Sequence, residues 1–235
     1  SSGPRDESWI EDLETGSDLG RELRAAAESG WDFSSRWLDD ACTMATIRTT
    51  RYIPCDLNAL LYGMEEELQL HDAAERRREA MTRWLWDAAE GRFGDWDLDD
   101  GRINPGLTAA TLVPLFSGAA TIGQADAIAK TAQELLLAPH GLRTTLAQTG
   151  QQWDAPNGWA PLHWFAIMGL RRYGHAALAE TIARRWLGLV EQGWKTTGLL
   201  FEKYDVESGA GGEGGEYEPQ YGFGWTNGVT RAILN

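Results

Sequence analysis

The sequence is dominated by a helical spacing of its apolar residues, and this spacing constrains the fold more than any other feature. After Asp56, which we predict to cap a helix N-terminus, apolar side chains recur every three or four positions and leave three consecutive glutamates toward solvent. Those apolar residues are Leu57, Leu60, Leu61, Met64 and Leu68. A second stretch, from about 73 to 88, has the same spacing and is followed by Gly91. The two stretches predict a helical hairpin.

The rest of the chain continues this pattern. Further helices are predicted at 22–29, 107–119, 124–137, 160–173, 176–192 and 226–234, and alternating patterns typical of β-strands are scarce. Long loops rich in Gly, Pro and Trp join the helices at 93–106, 138–159 and 195–225. Long loops in a compact domain are more often functional than idle. No linker divides the chain, so we predict a single all-α domain over residues 1–235.

Composition narrows the class of partner. The net charge of −14 and the pI near 4.7 disfavour nucleic acid and anionic membranes, because phosphates are repelled, whereas a neutral substrate suits such a surface. No apolar run has the length of a membrane span, and the polar beginning of the chain does not resemble a secretory signal. Cys42 and Cys55 pair only if the fold brings them together. The compartment is left open between cytoplasmic and periplasmic or secreted.

Carboxylates lie among glycines and tryptophans in several segments, which is a combination suited to sugar chemistry. Asp32 follows Gly30 and lies between Trp31 and Phe33. Aromatic neighbours partly desolvate a carboxyl group and keep a proton available for a leaving oxygen. Asp32 is therefore a candidate general acid, and a role as the N-cap of the next helix is the alternative.

Glu202 precedes a loop in which nearly every second residue is glycine, and such a loop can fold closely over a ligand. It is a candidate general base, with a surface ion pair to Lys203 or to a neighbouring arginine as the alternative. Polar and aromatic residues suited to binding sugars follow this loop, namely Glu216, Tyr217, Gln220, Phe223, Trp225 and Asn227.

The sequence does not match the common motifs for binding metals or cofactors. Asp95, Asp97 and Asp99 begin like a calcium loop, but the positions that should carry glycine and glutamate carry Asp100 and Gly106. We interpret this segment as a solvated acidic loop. The four histidines lack metal-ligand spacing, and no glycine pattern for phosphates or dinucleotides occurs, so neither a metal nor a cofactor is predicted.

Two long motifs resemble a known family. The segment 152–161, Gln-Trp-Asp-Ala-Pro-Asn-Gly-Trp-Ala-Pro, resembles a signature of the trehalases, glycoside hydrolases of family 37. The segment 222–228, Gly-Phe-Gly-Trp-Thr-Asn-Gly, resembles their C-terminal signature. The resemblance continues from Pro4 to Asn235 and includes segments 28–37, 56–58 and 202–206.

The resemblance implies an (α/α)6 barrel in which an inverting enzyme hydrolyses α,α-trehalose to two glucose molecules without a cofactor. It implies that Asp32 is the general acid and Glu202 the general base, with carboxyl groups roughly 6.5–9.5 Å apart. By similarity Arg5, Glu7, Gly30 and Glu216 contact the substrate. Further predicted sugar contacts are Trp31, Trp153, Asp154, Trp159, Gln220, Phe223 and Trp225.

The chain departs from the family pattern in three ways. Asp6 replaces a usual proline, Glu213 interrupts a usual glycine run, and the N-terminal half with its arginine-rich signature has no counterpart here. The sequence thus resembles the C-terminal part of one (α/α)6 catalytic domain. Two alternatives follow: a related (α/α)6 glucosidase acting on another α-glucoside, or an inactive sugar-binding or assembly fragment. The latter would need a separate N-terminal fragment, or a second copy of the chain, to cover its exposed helix faces.

Overall fold

The computed structural model describes residues 18–212 and 220–235. Within these ranges the chain forms eight α-helices, and the predicted all-α fold class is confirmed. The helices are α1 (Asp18–Ser29), α2 (Cys55–Glu67), α3 (His71–Trp84), α4 (Val113–Ser117), α5 (Ile122–Thr131), α6 (Ala160–Arg172), α7 (Ala176–Thr197) and α8 (Gly224–Leu234). Short strands connect them, namely β1 (Tyr52–Ile53), β2 (Trp86–Asp87), β3 (Arg92–Phe93), β4 (Trp96–Asp97), β5 (Arg102–Ile103), β6 (Leu137–Ala138), β7 (Gly141–Leu142), β8 (Asn157–Trp159) and β9 (Lys203–Asp205).

The helices are arranged as packed hairpins. Helices α2, α4, α6 and α8 pack against one another in chain order, while α3 packs on α2 and α7 packs on α6. The predicted hairpin is therefore present as α2 and α3. A second apolar cluster, which includes Trp186, Tyr204 and Val206, fixes β9 against α7. The closure of these hairpins into a barrel stays a prediction.

Several predicted helix ends differ from the observed ones. Helix α3 ends at Trp84 because Trp86 enters β2 and pairs with Phe93 of β3, with ring centroids 5.0 Å apart. The stretch predicted at 107–119 divides into a 3-10 turn, capped by Thr108, and the short helix α4. Helix α7 continues to Thr197, where Gly198 adopts a left-handed conformation with φ 72°. Local periodicity missed these ends because strand pairing decides the first, and local caps at Thr108 and Gly198 decide the other two.

The apolar stripe of α2 faces away from the described core, which corrects the expected orientation of this helix. Leu57, Leu60 and Met64 are 51%, 41% and 51% exposed. The small side of the helix packs instead, since a Cβ at Gly63 would lie only 3.4 Å from the Cβ of Ser117 in α4. Close approach of two helices needs small residues at the contact. The N-cap is the backbone of Pro54, so the predicted cap at Asp56 is wrong.

The segment interpreted as a solvated acidic loop is also different. Asp95 and Asp97 are buried, whereas Asp99 and Asp100 are exposed. Asp97 pairs with Arg48 at 2.6 Å, and Asp95 binds a second arginine described below. Strand β4 pairs with β1 on one side and β5 on the other. Because alternate residues of an extended chain point to the same face, Asp95 and Asp97 both face the protein interior. Two of the four carboxylates in this segment therefore form buried ion pairs that hold other parts of the protein, and the other two are exposed.

His163 is a neutral core residue beneath the loop that carries the 152–161 motif. Its Nδ1 lies 2.8 Å from the carbonyl oxygen of Trp159, and its Nε2 accepts a hydrogen bond from the Leu142 N–H at 2.8 Å. The ring stacks on Trp186 with centroids 4.0 Å apart. Burial lowers the pKa of His163 from 6.5 to about 4. This histidine is a packing residue.

His163 should make stability depend on pH. Between its unfolded pKa of 6.5 and its folded pKa of about 4, the unfolded chain binds a proton that the folded chain excludes. Stability is therefore lost as the pH falls through this window, by roughly 2 kcal/mol between about pH 7 and about pH 5. We expect His163→Gln to flatten the pH dependence of the urea unfolding free energy. His71→Gln, at an exposed histidine, is the control and should keep the parent slope. An unchanged slope in His163→Gln would refute this account.

Candidate active site

Glu202 directly precedes β9, and hydrogen bonds on both sides of its backbone fix its position. Strand β9 pairs antiparallel with β8, and Lys203 lies opposite Trp159. The N–H of Glu202 donates to the carbonyl oxygen of Gln220 at 2.8 Å, and its own carbonyl oxygen accepts from the Trp225 indole N–H at 3.3 Å. Glu202 is only 3% exposed. The two motifs that carry the family resemblance therefore meet around Glu202 and Lys203.

The loop after α1 carries Asp32. Gly30 ends the helix with φ 80°, and Asp32 follows between the buried rings of Trp31 and Phe33. The backbone carbonyl oxygen of Asp32 accepts from the side-chain amide of Gln152. The carbonyl oxygen of Phe33 accepts from the Trp153 N–H at 3.0 Å. Asp32 as a residue is half-buried.

The alternative role of Asp32 as a helix cap is wrong. The next helical turn, Ser35–Trp37, is capped by Ser34, whose hydroxyl accepts from the Arg36 N–H. A carboxylate that caps a helix accepts hydrogen bonds from backbone N–H groups of the first turn. The candidate acid is not used in this way.

Asp154 anchors the Asp32 loop. Its carboxylate accepts from the hydroxyl of Ser34 at 2.9 Å and from the N–H and hydroxyl of Ser35 at 2.9 and 2.8 Å. The hydroxyls of Thr145 and Thr149 also donate to it. Five donors on one fully buried carboxylate fix the loop rigidly. The predicted sugar contact of Asp154 stays untested, and we assign its side chain this anchoring role.

Arg36 is a second anchor, which sequence reasoning missed. Its buried guanidinium donates to Asp56 and to Asp95, each at 2.7 Å. It lies between two indole rings, 4.5 Å from the centroid of Trp31 and 4.3 Å from that of Trp37. Burial disfavours its charge, but the two carboxylates outweigh burial and raise the pKa of Arg36 well above its ordinary value. The aromatic residues on both sides of Arg36 were the only signal in the sequence.

The same cluster offers ligand types for a metal. Cys55, Asp56 and Asp95 bring ligand atoms within 4.8 Å of one another. Both carboxylates, however, already bind the guanidinium of Arg36, and burial raises the pKa of the Cys55 thiol. The donor set thus suits an internal cation rather than a metal ion. Cys55 is a buried free thiol and Cys42 an exposed one, so the two do not pair.

The predicted aromatic residues form one continuous cluster. Trp153 stacks on Trp159 at 4.0 Å, Trp31 lies 5.2 Å from Trp153, and Trp225 lies 5.6 Å from Trp159. Phe223 extends the cluster at 4.7 Å from Trp225. Trp31, Trp153 and Trp159 are 4%, 5% and 1% exposed, so their faces are occupied by one another. Phe223 and Trp225 are half-buried and have surface left for a ligand.

Direct sugar contacts of all these aromatic residues stay predictions, as does that of the exposed Gln220. Arg5, Asp6, Glu7, Glu213, Glu216 and Tyr217 lie outside the described residues. Among the helices within 18–212 and 220–235, none has the length and apolarity to cross a membrane.

Lys203 is not the surface partner of Glu202 that the sequence suggested. Its side chain is 0% exposed, and its Nζ lies 3.9 Å from Oε2 of Glu202. The same Nζ donates to Oε1 of Gln152 at 2.9 Å. Gln152 and Lys203 thereby connect the loop of Asp32 with the strand that follows Glu202. Only the long-range pairing of β8 with β9 brings these residues together.

Solved structures with this arrangement of helices define the class of protein. The neutral trehalase Nth1 from Saccharomyces cerevisiae superposes with a TM-score of 0.69 at 26% identity, over 83% of this chain and 40% of that one. The GH63 mannosylglycerate hydrolase from Thermus thermophilus has a TM-score of 0.63 at 26% identity, over 78% of this chain and 45% of that one. The described fold is therefore similar to that of these two glycoside hydrolases.

Sequence comparison narrows the class to one family. The Trehalase family model matches residues 1–235. The periplasmic trehalase of Salmonella paratyphi C is 46% identical over 99% of this chain and 45% of that protein. That of Xanthomonas axonopodis pv. citri is 46% identical over 99% of this chain and 44% of that protein. The chain belongs to the trehalase family, and it spans less than half the length of these relatives.

Proposed function

We propose that this chain carries the general acid and the general base of an inverting α,α-trehalase. The observation that supports this most directly is the contact between the two candidate segments. The Asp32 loop and Glu202 are far apart in the sequence, yet Gln152 binds the Asp32 backbone and also binds Lys203 beside Glu202. A pair of carboxyl groups flanking one glycosidic bond is what single-displacement hydrolysis requires.

In the proposed mechanism Asp32 donates a proton to the oxygen that bridges the two glucose units. Glu202 accepts a proton from a water molecule that attacks the anomeric carbon from the opposite face of the ring. Inversion follows because bond cleavage and water attack occur on opposite faces, and room for the water sets the carboxyl groups roughly 6.5–9.5 Å apart. The rigid support from Asp154 and Arg36 keeps the Asp32 loop in place during this step.

The proposed substrate is the neutral disaccharide trehalose, and the proposed location is the periplasm. The relatives at 46% identity are named periplasmic trehalases. A net charge of −14 suits a neutral sugar and disfavours nucleic acid or an anionic membrane as a partner. The acid and base chemistry needs neither a metal nor an organic cofactor.

A related glucosidase is the second candidate. It is motivated by the likeness to the mannosylglycerate hydrolase, whose name gives a substrate other than trehalose. We therefore propose incubation with trehalose, maltose, sucrose and mannosylglycerate, with glucose or mannose release as the readout. Release from trehalose alone supports the trehalase. An inverting enzyme gives one β-glucose and one α-glucose at first, which proton NMR distinguishes from the two α-glucoses of retention.

A third proposal concerns the need for a partner. The exposed apolar side of α2 and the coverage of less than half of each relative suggest that further family residues complete the site. We expect the isolated 235-residue chain to hydrolyse trehalose very poorly, because residues that the relatives carry outside the matched part would supply hydrogen bonds to the transition state. Adding a fragment with the remaining residues of a relative should restore turnover. Robust hydrolysis by the chain alone would refute this requirement, and intact mass would verify that the chain was alone.

A further inference from the structure

Lys203 is a fully buried cation whose position is fixed from several sides. It lies in β9 opposite Trp159, with its Nζ 5.6 Å from the centroid of that indole ring. Its Nζ donates to Gln152 at 2.9 Å and lies 3.9 Å from Glu202. Burial lowers the pKa of Lys203, while the charge of Glu202 opposes this shift. A buried ammonium group is costly unless it is paired, so its retention requires an explanation.

Gln152 is the other half of this connection. Its Nε2 donates to the backbone carbonyl oxygen of Asp32, and its Oε1 accepts from Lys203. Because an ammonium group only donates, this contact fixes which end of the amide faces Lys203. The backbone oxygen of Gln152 is also bound, by the indole N–H of Trp159 at 3.0 Å and the amide of Asn157 at 3.2 Å. The residue therefore has little freedom to move.

We propose that Gln152 and Lys203 act as one positioning bridge that sets the separation between the general acid and the general base. The inference rests on the proposed function, since it takes Asp32 and Glu202 as the reacting pair. Gln152 holds the backbone of Asp32, and Lys203 holds Gln152 while its charge attracts the carboxylate of Glu202. Both bridge residues act through others in this assignment, Gln152 through the backbone of Asp32 and Lys203 through the carboxylate of Glu202.

The physical reason is the narrow tolerance of an inverting reaction. The two carboxyl groups must leave room for one water, and a misplacement of about 1 Å can cost about 10²-fold in rate. Asp32 lies on a loop, whereas Glu202 adjoins a strand anchored in the core. Asp154 and Arg36 fix the part of the loop that follows Asp32. The carbonyl oxygen of Asp32 itself accepts its hydrogen bond from the side chain of Gln152. The bridge therefore connects the backbone of the acid directly to the carboxylate of the base, and so can set the distance between their two carboxyl groups.

The test uses an active preparation of the chain, complemented with the rest of a relative's catalytic domain if the chain needs it. Gln152→Met and Lys203→Met keep approximate size and remove the bridge. We expect each to lower kcat for trehalose about 10- to 100-fold, with KM changed less than about threefold. The double variant should lose no more than the more severe single variant, because both changes break one bridge. Gln151→Met and Lys195→Met, at a neighbouring glutamine and an exposed lysine, are the controls and should keep the parent kcat.

A purely structural role predicts a different result, namely a lower melting temperature with normal kcat for the enzyme that remains folded. That outcome overturns the proposal, and so do additive losses in the double variant. If Lys203→Met fails to fold, Gln152→Asn decides, since it keeps the amide but shortens the side chain by one methylene. Full kcat in folded Gln152→Asn also overturns the proposal. Asp32→Asn and Glu202→Gln run in parallel, and full activity in them would refute the proposed function instead of the bridge.

Discussion

Asp32→Asn and Glu202→Gln are each expected to reduce trehalose hydrolysis about 10²–10⁴-fold while the protein remains folded. Asparagine cannot donate the proton that the leaving oxygen needs, and glutamine cannot accept a proton from water. Both replacements nearly preserve shape, so the loop held by Gln152 and the segment before β9 should keep their positions. Initial rates of glucose release, measured with circular dichroism on the same samples, check this result.

Matched controls make the assignment specific. Asp39→Asn changes an exposed carboxylate on the same loop, and Glu207→Gln changes a carboxylate shortly after β9 that pairs with Arg143. Both should keep turnover within about threefold of the parent, because the exposed pair of Asp39 and the partly buried pair of Glu207 take no part in the proposed proton transfers. Near-normal turnover in Asp32→Asn or Glu202→Gln would remove that residue from the mechanism.

Arg36→Met is expected to destabilise the protein by about 3–5 kcal/mol, which is the largest stability effect that the described site predicts. Methionine fills much of the same space between Trp31 and Trp37, but it leaves Asp56 and Asp95 without their buried cation. An uncompensated buried charge is what makes such a change costly. Urea unfolding followed by tryptophan fluorescence measures the loss.

Two further variants test the cause of this loss. Arg102→Met removes an exposed arginine that pairs with Asp100, and it should cost less than about 1 kcal/mol. Combining Arg36→Met with Asp56→Asn and Asp95→Asn should recover part of the stability, because the unpaired carboxylates are then neutral. A cost below about 1 kcal/mol for Arg36→Met would mean that the carboxylates find other partners.

The two predictions concern neighbouring parts of one structure. Arg36 contacts Trp31, and Trp31 precedes the candidate acid. Asp154 holds Ser34 and Ser35 on the other side of Asp32. The acid is therefore supported from buried charges on both sides, although it lies on a loop. Preorganisation of this kind reduces the reorganisation that the reaction has to overcome.

The sequence was informative wherever function depends on contiguous motifs. The segments 152–161, 202–206 and 222–228 were sufficient to predict the family that the comparisons confirmed. Helical spacing was sufficient for the all-α class and for most helices, because amphipathic helices follow their own local period. Asp32 and Glu202 were selected by their motifs, and their roles stay predictions.

The sequence misled where burial depends on distant segments. The stripe from Leu57 to Met64 has the spacing of a core face, yet the small residues opposite it pack against α4. Asp95 and Asp97 have the composition of a surface loop, yet arginines from other segments bury them. A local pattern describes which residues share a face, but it contains no information on which face meets a neighbour.

By itself, then, the sequence determined the family, the class of fold and the candidate acid and base, since these depend on residues that are close along the chain. Only the tertiary structure decided that Arg36 is a buried clamp, that Asp154 anchors a loop, and that Lys203 is buried beside Glu202. The residues that surround these groups come from separate segments: Asp56 and Asp95 around Arg36, Ser34 and Ser35 around Asp154, and Gln152 and Trp159 around Lys203. Their meeting depends on strand pairing and core packing, which act at long range and leave no periodic signal in the sequence.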